Sequence, residues 1–145
     1  MHSLTFKLIT DDAEQGGAFE VRKQVFVHEQ GVSEELEYDG QDEQALHMVV
    51  KDGARVIGTA RVQFLSSNRA KIERMAILKP FRRKGIGSNI IAFLKLELKN
   101  RHIEQIILHA QYAVVKFYEE CGFETTGKPF WEAGIKHIKM QLRLI

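Results

Sequence analysis

Cysteine and long apolar runs are scarce in this chain of 145 residues. The one cysteine, Cys121, cannot form an internal disulfide, which favours a reducing compartment. No apolar stretch approaches the ~18 residues of a membrane-spanning helix, and the first residues, MHSLTFKLITDDAEQ, lack the hydrophobic segment of a signal peptide. These absences predict a cytoplasmic protein without a membrane partner.

An excess of charge of one sign is also missing. Lys and Arg total 21 against 19 Asp and Glu, so the net charge is +2. A general nucleic-acid binder would need a larger and more clustered basic excess, and we therefore expect no nucleic-acid partner. The six histidines show no HxxxH or HExxH spacing, and one cysteine cannot build a thiolate site, so we expect no metal.

Length and patterning predict one domain, residues 1–145, of the mixed α/β class (α+β type). Short turns join three successive strand-like runs, which favours an antiparallel meander. The basic loop RRKGIGS (82–88) then leads into an amphipathic helix, and the strands on either side of this helix should be parallel. The predicted strands are 4–9, 45–51, 56–64, 70–77, 106–110, 123–126 and 135–142, and the predicted helices are 12–27, 89–98 and 113–120.

The loop RRKGIGS carries the strongest local signal. Glycine is used where a backbone must closely approach another group, and a helix N-terminus offers unpaired N–H groups and the positive end of the helix dipole. The pattern Arg82-x-x-Gly85-x-Gly87 therefore predicts a phosphate site. The loop has neither the GxxxxGK[ST] of a P-loop nor the third glycine of GxGxxG. A helix start with solvated cations is the alternative interpretation.

Two sequence blocks resemble the GCN5-related N-acetyltransferase (GNAT) family. They are ERMAILKPFRRKGIGS (73–88) and HAQYAVVKFYEECGF (109–123), in the family's order and separation, and the resemblance extends from Phe6 to Met140. Two smaller features, VRKQVFVHEQGVSEELEYDGQD and FWEAGIKHIKM, are similar to a bacterial subgroup of small stand-alone members of the ElaA type. The resemblance implies a mixed central sheet of six to seven strands, antiparallel in its first half, with a splayed parallel pair in the middle and helices on both faces.

The resemblance also implies acetyl-coenzyme A (acetyl-CoA) as the acyl donor. The backbones of Met75 and Ile77 would pair with its pantetheine arm, and the N–H near Ala76 would polarise the thioester carbonyl. Gln111 stands where family members often have Asn, so its reach to pantetheine is open. The implied cofactor-binding residues are Met75, Ala76, Ile77, Arg82, Arg83, Lys84, Gly85, Ile86, Gly87, Ser88, Gln111 and Phe117.

Tyr118, seven residues after Gln111 as in the family, is the implied general acid. A phenol can supply the proton that a departing thiolate of pKa roughly 8.5 needs, although a core tyrosine is the alternative. Glu73 is the first candidate for the general base, with a structural ion pair to Arg61 or Arg74 as the alternative. The other base candidates are ordered water, Glu29, His47, His109 and His137.

Three further features each have two interpretations. Cys121 fits a packed residue better than an acetyl-carrying nucleophile, because a helix C-terminus disfavours a thiolate. The acidic stretch 34–43 fits a solvated face better than an attractor of an ammonium acceptor. Phe130 and Trp131 could line an acceptor mouth or cap the core.

Together these features predict an enzyme that moves an acetyl group from acetyl-CoA directly to a primary amine of a small molecule or peptide. A non-catalytic acyl-CoA-binding sensor or interaction module is the alternative, and a nucleic-acid binder is the least favoured. The acceptor, the acyl-chain length and the oligomeric state stay open. A homodimer could form through an exposed strand edge near the C-terminus.

Overall fold

Seven strands form one mixed sheet in the computed structural model, which describes residues 3–144. The strands are β1 (Leu4–Leu8), β2 (Leu46–Asp52), β3 (Arg55–Phe64), β4 (Arg69–Ile77), β5 (Gln105–Gln111), β6 (Glu124–Glu132) and β7 (Ile135–Arg143). Their order across the sheet is β1-β2-β3-β4-β5-β7-β6. Only β4 and β5 are parallel among the described neighbours, which confirms the predicted meander and crossover.

Four α-helices accompany the sheet in the described range. They are α1 (Asp12–Arg22), α2 (Glu34–Glu37), α3 (Ile86–Asn100) and α4 (Val115–Glu120). A π-helical segment, Lys23–Glu29, continues α1, and short 3₁₀ turns cover Lys79–Phe81 and Tyr112–Val114. Within residues 3–144, no helix is long and apolar enough to span a bilayer.

The apolar residues of α3 cover one face of the sheet. Ile90, Leu94 and Leu98 are fully buried and belong to the same cluster as Ile72 and Leu108 of the parallel strands. The helix is therefore amphipathic as predicted. Of the residues expected on its apolar face, Ile90, Ile91, Phe93, Leu94, Leu96 and Leu98, Leu96 is 63% exposed because it lies off the buried stripe.

The opposite face of the sheet is covered by α1 and the π-helical segment. Ala18 and Val21 pack there against Val49, Val56 and the strand residues beside them. The helix needs a glycine at position 17, because a Cβ there would lie 2.5 Å from Cγ2 of Val56. Helices thus lie on both faces, as predicted.

Two predicted boundaries are wrong. The helix α3 begins at Ile86 rather than residue 89, because the last residues of the basic loop form its first turn. Strand β6 runs to Glu132 rather than Thr126, through Gly127 and Pro129, with a bulge in its pairing to β7. Since β6 is at the edge of the sheet, it tolerates a proline that would disrupt a central strand.

Candidate active site

The parallel strands β4 and β5 separate halfway along their length. Their pairing runs from Arg69 opposite Gln105 to Ile72 opposite Leu108 and then stops. Beyond that point β4 stays paired to β3 up to Ile77, and β5 stays paired to β7 up to Gln111. The result is a V-shaped split in the sheet with free main-chain groups along its sides.

Alternation along β4 decides which main-chain groups face this split. The N–H of Leu78 donates to the Ile57 carbonyl of β3 at 2.9 Å. Successive N–H groups of a strand point to opposite sides, so the Ala76 N–H also faces β3, whereas those of Met75 and Ile77 face the split. The predicted role of Met75 and Ile77 fits this geometry. The Ala76 N–H, near which the thioester carbonyl was predicted to bind, faces β3 instead, and the preceding N–H that faces the split is that of Met75.

The N-terminus of α3 lies at the open end of the split. Its first helical bond runs from the Asn89 N–H to the Gly85 carbonyl at 3.1 Å, and the helix has no side-chain cap. The N–H groups of the first turn, residues 86–88, therefore lack helical partners. Arg83 and Gly85 have left-handed backbones (φ 63° and 79°), so the loop curls ahead of the helix. This end of the split can hold an anion.

Two basic residues of the loop are exposed beside that helix end, and the third is engaged elsewhere. Arg83 and Lys84 are exposed. The Arg82 guanidinium donates to both Glu29 carboxylate oxygens at 2.9 Å and, through Nε, to the Ile77 carbonyl at 2.8 Å. Arg82 therefore ties the π-helical segment to the end of β4.

Gly87 gives α3 its close approach to α4. A Cβ at position 87 would lie 3.0 Å from Cζ of Phe117, so any side chain there would push α4 away. Phe117 also packs edge-on against Tyr118, with ring centroids 5.0 Å apart. Gly87 of the loop and Phe117 of α4 are distant in the sequence but lie next to each other in the fold.

Tyr118 lines the cleft from α4. Burial raises the pKa of its phenol to about 12, with a smaller contribution from Cys121. The hydroxyl is therefore protonated at neutral pH and is available as a proton donor. Burial likewise raises the pKa of the Cys121 thiol, in keeping with a packed residue.

Glu73 lies at the split but is held by cations. Its Oε1 accepts a hydrogen bond from Arg61 at 3.0 Å, and its Oε2 lies 3.2 Å from Nζ of Lys71. The Arg61 side chain is 1% exposed, so this pair belongs to the interior. The structural ion pair with Arg61 is thus present, and the one with Arg74 is not formed by Glu73 in the described residues.

The acidic stretch 34–43 is only partly a solvated face, which corrects that interpretation. Glu37 is buried and accepts from Nε of Arg22 at 2.6 Å. Asp39 accepts two bonds from Arg61 at 2.9 Å, and this holds the pKa of Asp39 well below its usual range. The sequence could not reveal these pairs, because their partners come from α1 and β3.

Glu132 of β6 was missed as a candidate site residue. Its Oε1 lies 3.2 Å from Nδ1 of His109, and its Oε2 lies 3.8 Å from Nε2 of His137. The hydrogen bond from His109 lowers the pKa of the Glu132 carboxyl. The only sequence signal for Glu132 was the segment FWEAGIKHIKM, which places a carboxylate and a histidine on one hairpin.

Gln111 reaches across the cleft rather than along β5. Its amide donates to Oε1 of Gln30 at 2.9 Å, which joins the end of β5 to the end of the π-helical segment. The predicted bond to pantetheine would therefore require Gln111 to exchange this partner. Trp131 is 73% exposed, and Phe130 packs edge-on against the His109 ring.

Met75, Ile77, Gly87, Gln111 and Tyr118 all line one cleft of about 970 Å³, within the range of small-molecule sites. It runs from the α3 N-terminus through the split to His109 and Glu132. It can hold an extended, amide-containing arm along β4 with a phosphate at the helix end. Among residues 3–144, no group of three or more His, Cys, Asp or Glu side chains could hold a metal ion.

Known proteins share this fold and much of the sequence. A family model described as an acetyltransferase (GNAT) domain matches residues 9–144. The chain is 36% identical over 124 residues to a Bacillus subtilis (strain 168) protein named uncharacterized N-acetyltransferase YjcF, covering 85% of this chain and 88% of that protein.

The fold of this chain is similar to that of Escherichia coli ElaA, with a TM-score of 0.85 at 19% identity over 98% and 99% of the two chains. A GNAT family acetyltransferase from Elizabethkingia anophelis, with acetyl-CoA bound, gives a TM-score of 0.79 at 18% identity over 97% and 98% of the two chains. The chain described here belongs to the GNAT acetyltransferase family.

Proposed function

We propose that this protein transfers an acetyl group from acetyl-CoA to a primary amine of a small-molecule or peptide acceptor. The observation that carries the proposal is the split between β4 and β5, which joins an uncapped helix N-terminus to the Tyr118 phenol through one cleft. The Elizabethkingia anophelis structure with the same fold holds acetyl-CoA, which supports the same donor here.

The donor would be held by main-chain groups and by the basic loop. Met75 and Ile77 offer N–H groups to an amide-containing arm, in the manner of an added strand. The first-turn N–H groups of α3, with Arg83 and Lys84 beside them, suit a diphosphate. When bound, acetyl-CoA supplies an activated acetyl group and a thiolate leaving group.

Two groups of this chain would then favour acetyl transfer. The Met75 N–H, which points into the split, can donate to the thioester carbonyl oxygen as negative charge develops there, and one such donor is worth about 3 kcal/mol. The Tyr118 hydroxyl can give its proton to the departing sulfur. An acceptor amine would enter from the side of His109 and Glu132, where α1 does not cover the sheet.

Two measurements test the proposal. Calorimetric titration with CoA and with acetyl-CoA should show binding, and a screen over amino sugars, polyamines, amino acids and peptides should show acetyl-CoA-dependent release of CoA. Binding without turnover on any acceptor would favour the acyl-CoA-binding sensor. The absence of heat or thermal stabilisation with either form of the coenzyme would overturn both functions.

The variant Gly87→Val gives a sharper test of the donor site. The added side chain would meet Phe117 and displace the first turn of α3, so affinity for CoA should fall at least tenfold. Gly16→Ala is the control, because a Cβ at position 16 would have no heavy atom within 4 Å. Unchanged CoA affinity in folded Gly87→Val would contradict the predicted cradle.

A further inference from the structure

We propose that His109 is the base that takes the proton from the attacking amine, and that Glu132 holds it in the required tautomer. The inference rests on the proposed acetyl transfer and concerns a step that the family assignment does not describe. It identifies the acceptor side of the cleft as the side of β5, β6 and β7.

The position of His109 follows from the strand register. Ile72 and Leu108 are the last paired residues of the parallel strands, so His109 is the first residue of β5 within the split. Leu108 and Ala110 are buried in the cluster beneath α3, and alternation therefore directs His109 to the other face of the sheet. His109 lines the cleft, and its side chain is 26% exposed.

The tautomer of His109 follows from its partner. Oε1 of Glu132 lies 3.2 Å from Nδ1 of His109. An ionised carboxylate only accepts hydrogen bonds, so Nδ1 carries the hydrogen and the neutral ring keeps its lone pair on Nε2. A carboxylate that orients an imidazole in this way is the arrangement used in hydrolase triads to present Nε2 as a base.

Two other candidates are less suited to the task. The Glu73 carboxylate is bonded to Arg61 and lies beside Lys71, so a proton placed on it would break interior ion pairs. His137 is buried, and its Nδ1 donates to the Ile135 carbonyl at 2.7 Å, which leaves Nε2 facing Glu132 at 3.8 Å. His109 combines exposure to the cleft with an Nε2 that has no hydrogen-bond partner among residues 3–144.

The acid and the base lie on opposite faces of the split. Tyr118 packs against the cluster beneath α3, whereas His109 projects from the other face. Nε2 of His109 first takes one proton from the acceptor ammonium and releases it to solvent. In the transfer, the neutral amine nitrogen then forms a bond to the acetyl carbon and loses its second proton to Nε2 of His109. The carbon–sulfur bond breaks, and the sulfur takes the proton of Tyr118. Solvent then carries the proton from the imidazolium to the phenolate, so that the products are an amide and a thiol.

Charged groups from several elements surround His109. They are Lys71 and Glu73 of β4, Glu132 of β6, and His137 and Lys139 of β7, of which Lys139 lies directly opposite His109 in the sheet. The test therefore compares acceptors that differ in protonation, and it does not depend on one apparent pKa.

The decisive comparison uses hydroxylamine and ethylamine as acceptors at pH 7.5. Hydroxylamine is uncharged at this pH and needs no base to become nucleophilic, whereas ethylamine is almost entirely an ammonium ion. His109→Gln should slow the acetylation of ethylamine, and of any amine found in the screen, by about 100-fold or more. The same variant should slow the acetylation of hydroxylamine far less. Glu73→Gln should change the acetylation rates of both acceptors by the same factor. The control His102→Gln, at an exposed position, should change neither rate.

Glu132 is a positioning residue and has its own readout. Nitrogen-15 NMR of the imidazoles should show hydrogen on Nδ1 of His109 in the unmodified protein and a mixture of tautomers in Glu132→Gln, whose amide can also donate.

The outcomes separate the two proposals. An unmodified protein that acetylates neither probe nor any amine of the screen contradicts the proposed function. An active protein in which His109→Gln slows hydroxylamine and ethylamine equally overturns His109 as the base. A hydrogen found on Nε2 and not on Nδ1 overturns the role given to Glu132.

Discussion

Tyr118 is the residue whose environment bears most directly on the chemistry. It lies on α4 between Phe117 and Phe123, with ring centroids 5.0 and 6.0 Å away. Burial among these rings raises the pKa of the phenol to about 12. Tyr118 therefore stays protonated, and able to donate a proton, through the physiological pH range.

Replacing Tyr118 by phenylalanine should lower turnover about 100-fold, because the departing thiolate loses its proton donor. Affinity for CoA, measured by calorimetry, should stay close to that of the unmodified protein, since the ring packing is kept. Loss of CoA binding with full activity per bound coenzyme would contradict the acid assignment.

Several of the predicted site residues carry local signals in the sequence. The loop glycines and cations lie within seven consecutive residues, and Tyr118 follows a fixed distance after Gln111. The pairing of His109 with Glu132 spans 23 residues and depends on β7 lying between β5 and β6. No spacing rule in a single sequence encodes that neighbourhood, so Glu132 was missed.

At the scale of elements, the first helix shows how packing overrides helix propensity. Two adjacent glycines, Gly16 and Gly17, make the first turns of α1 weak in isolation. Gly17 faces β3 and touches Val56, whereas Gly16 faces open space. The same residue type is therefore required at one position and only tolerated at the next.

Alanine substitutions at these two positions should act in opposite directions. Gly16→Ala should stabilise the protein by about 0.5–1 kcal/mol, because alanine reduces the backbone entropy lost on folding. Gly17→Ala should destabilise it by about 1–3 kcal/mol, because the added Cβ would lie 2.5 Å from the stiff Val56 side chain. Urea unfolding measures both values. Equal changes in the free energy of unfolding in the two variants would show that β3 accommodates the added Cβ without loss of stability.

The π-helical segment after α1 was not predictable from the apolar spacing that indicated a helix to residue 27. A π-helix adds one residue per turn and is often found at functional sites. Here it brings Glu29 to Arg82 and Gln30 to Gln111, at either side of the cleft. These contacts are made with distant parts of the chain, which the local pattern does not report.

Across the whole molecule, buried carboxylates fasten separate elements to one another. Glu14 of α1 lies 2.6 Å from Lys7 of β1 and 3.0 Å from Lys51 of β2. The hydrogen bond from Lys7, followed by those from Thr10 and Lys51, lowers the pKa of Glu14 from 4.5 to about 2. Glu37 behaves differently, because its burial raises the pKa of its carboxyl despite the bond from Arg22.

Acid should therefore weaken the fold through Glu14 in a defined window. A carboxyl group whose pKa is lower in the folded state contributes its full stabilisation above its unfolded value and loses it as pH falls through the folded value. The free energy of unfolding should accordingly decline between about pH 4.5 and pH 2. In Glu14→Gln this decline should be shallower, and the variant should be less stable than the unmodified protein at pH 7.

Urea unfolding at pH 7, 5, 4 and 3 measures this dependence, with Glu119→Gln at an exposed position as the control. A difference between Glu14→Gln and the unmodified protein that stays constant down to pH 3 would contradict the role given to the two lysines.

The sequence by itself determined most element types, the antiparallel meander and the parallel crossover, and it predicted an anion-binding loop. Each follows from periodicity, turn residues or helix-end chemistry acting over a few consecutive residues. The tertiary structure decided where β4 and β5 separate, which carboxylates are neutralised by buried arginines, and which histidine lines the cleft with a carboxylate at its Nδ1. Those properties depend on which strands are neighbours, and the distance between two side chains far apart in the chain is fixed only when the sheet has formed.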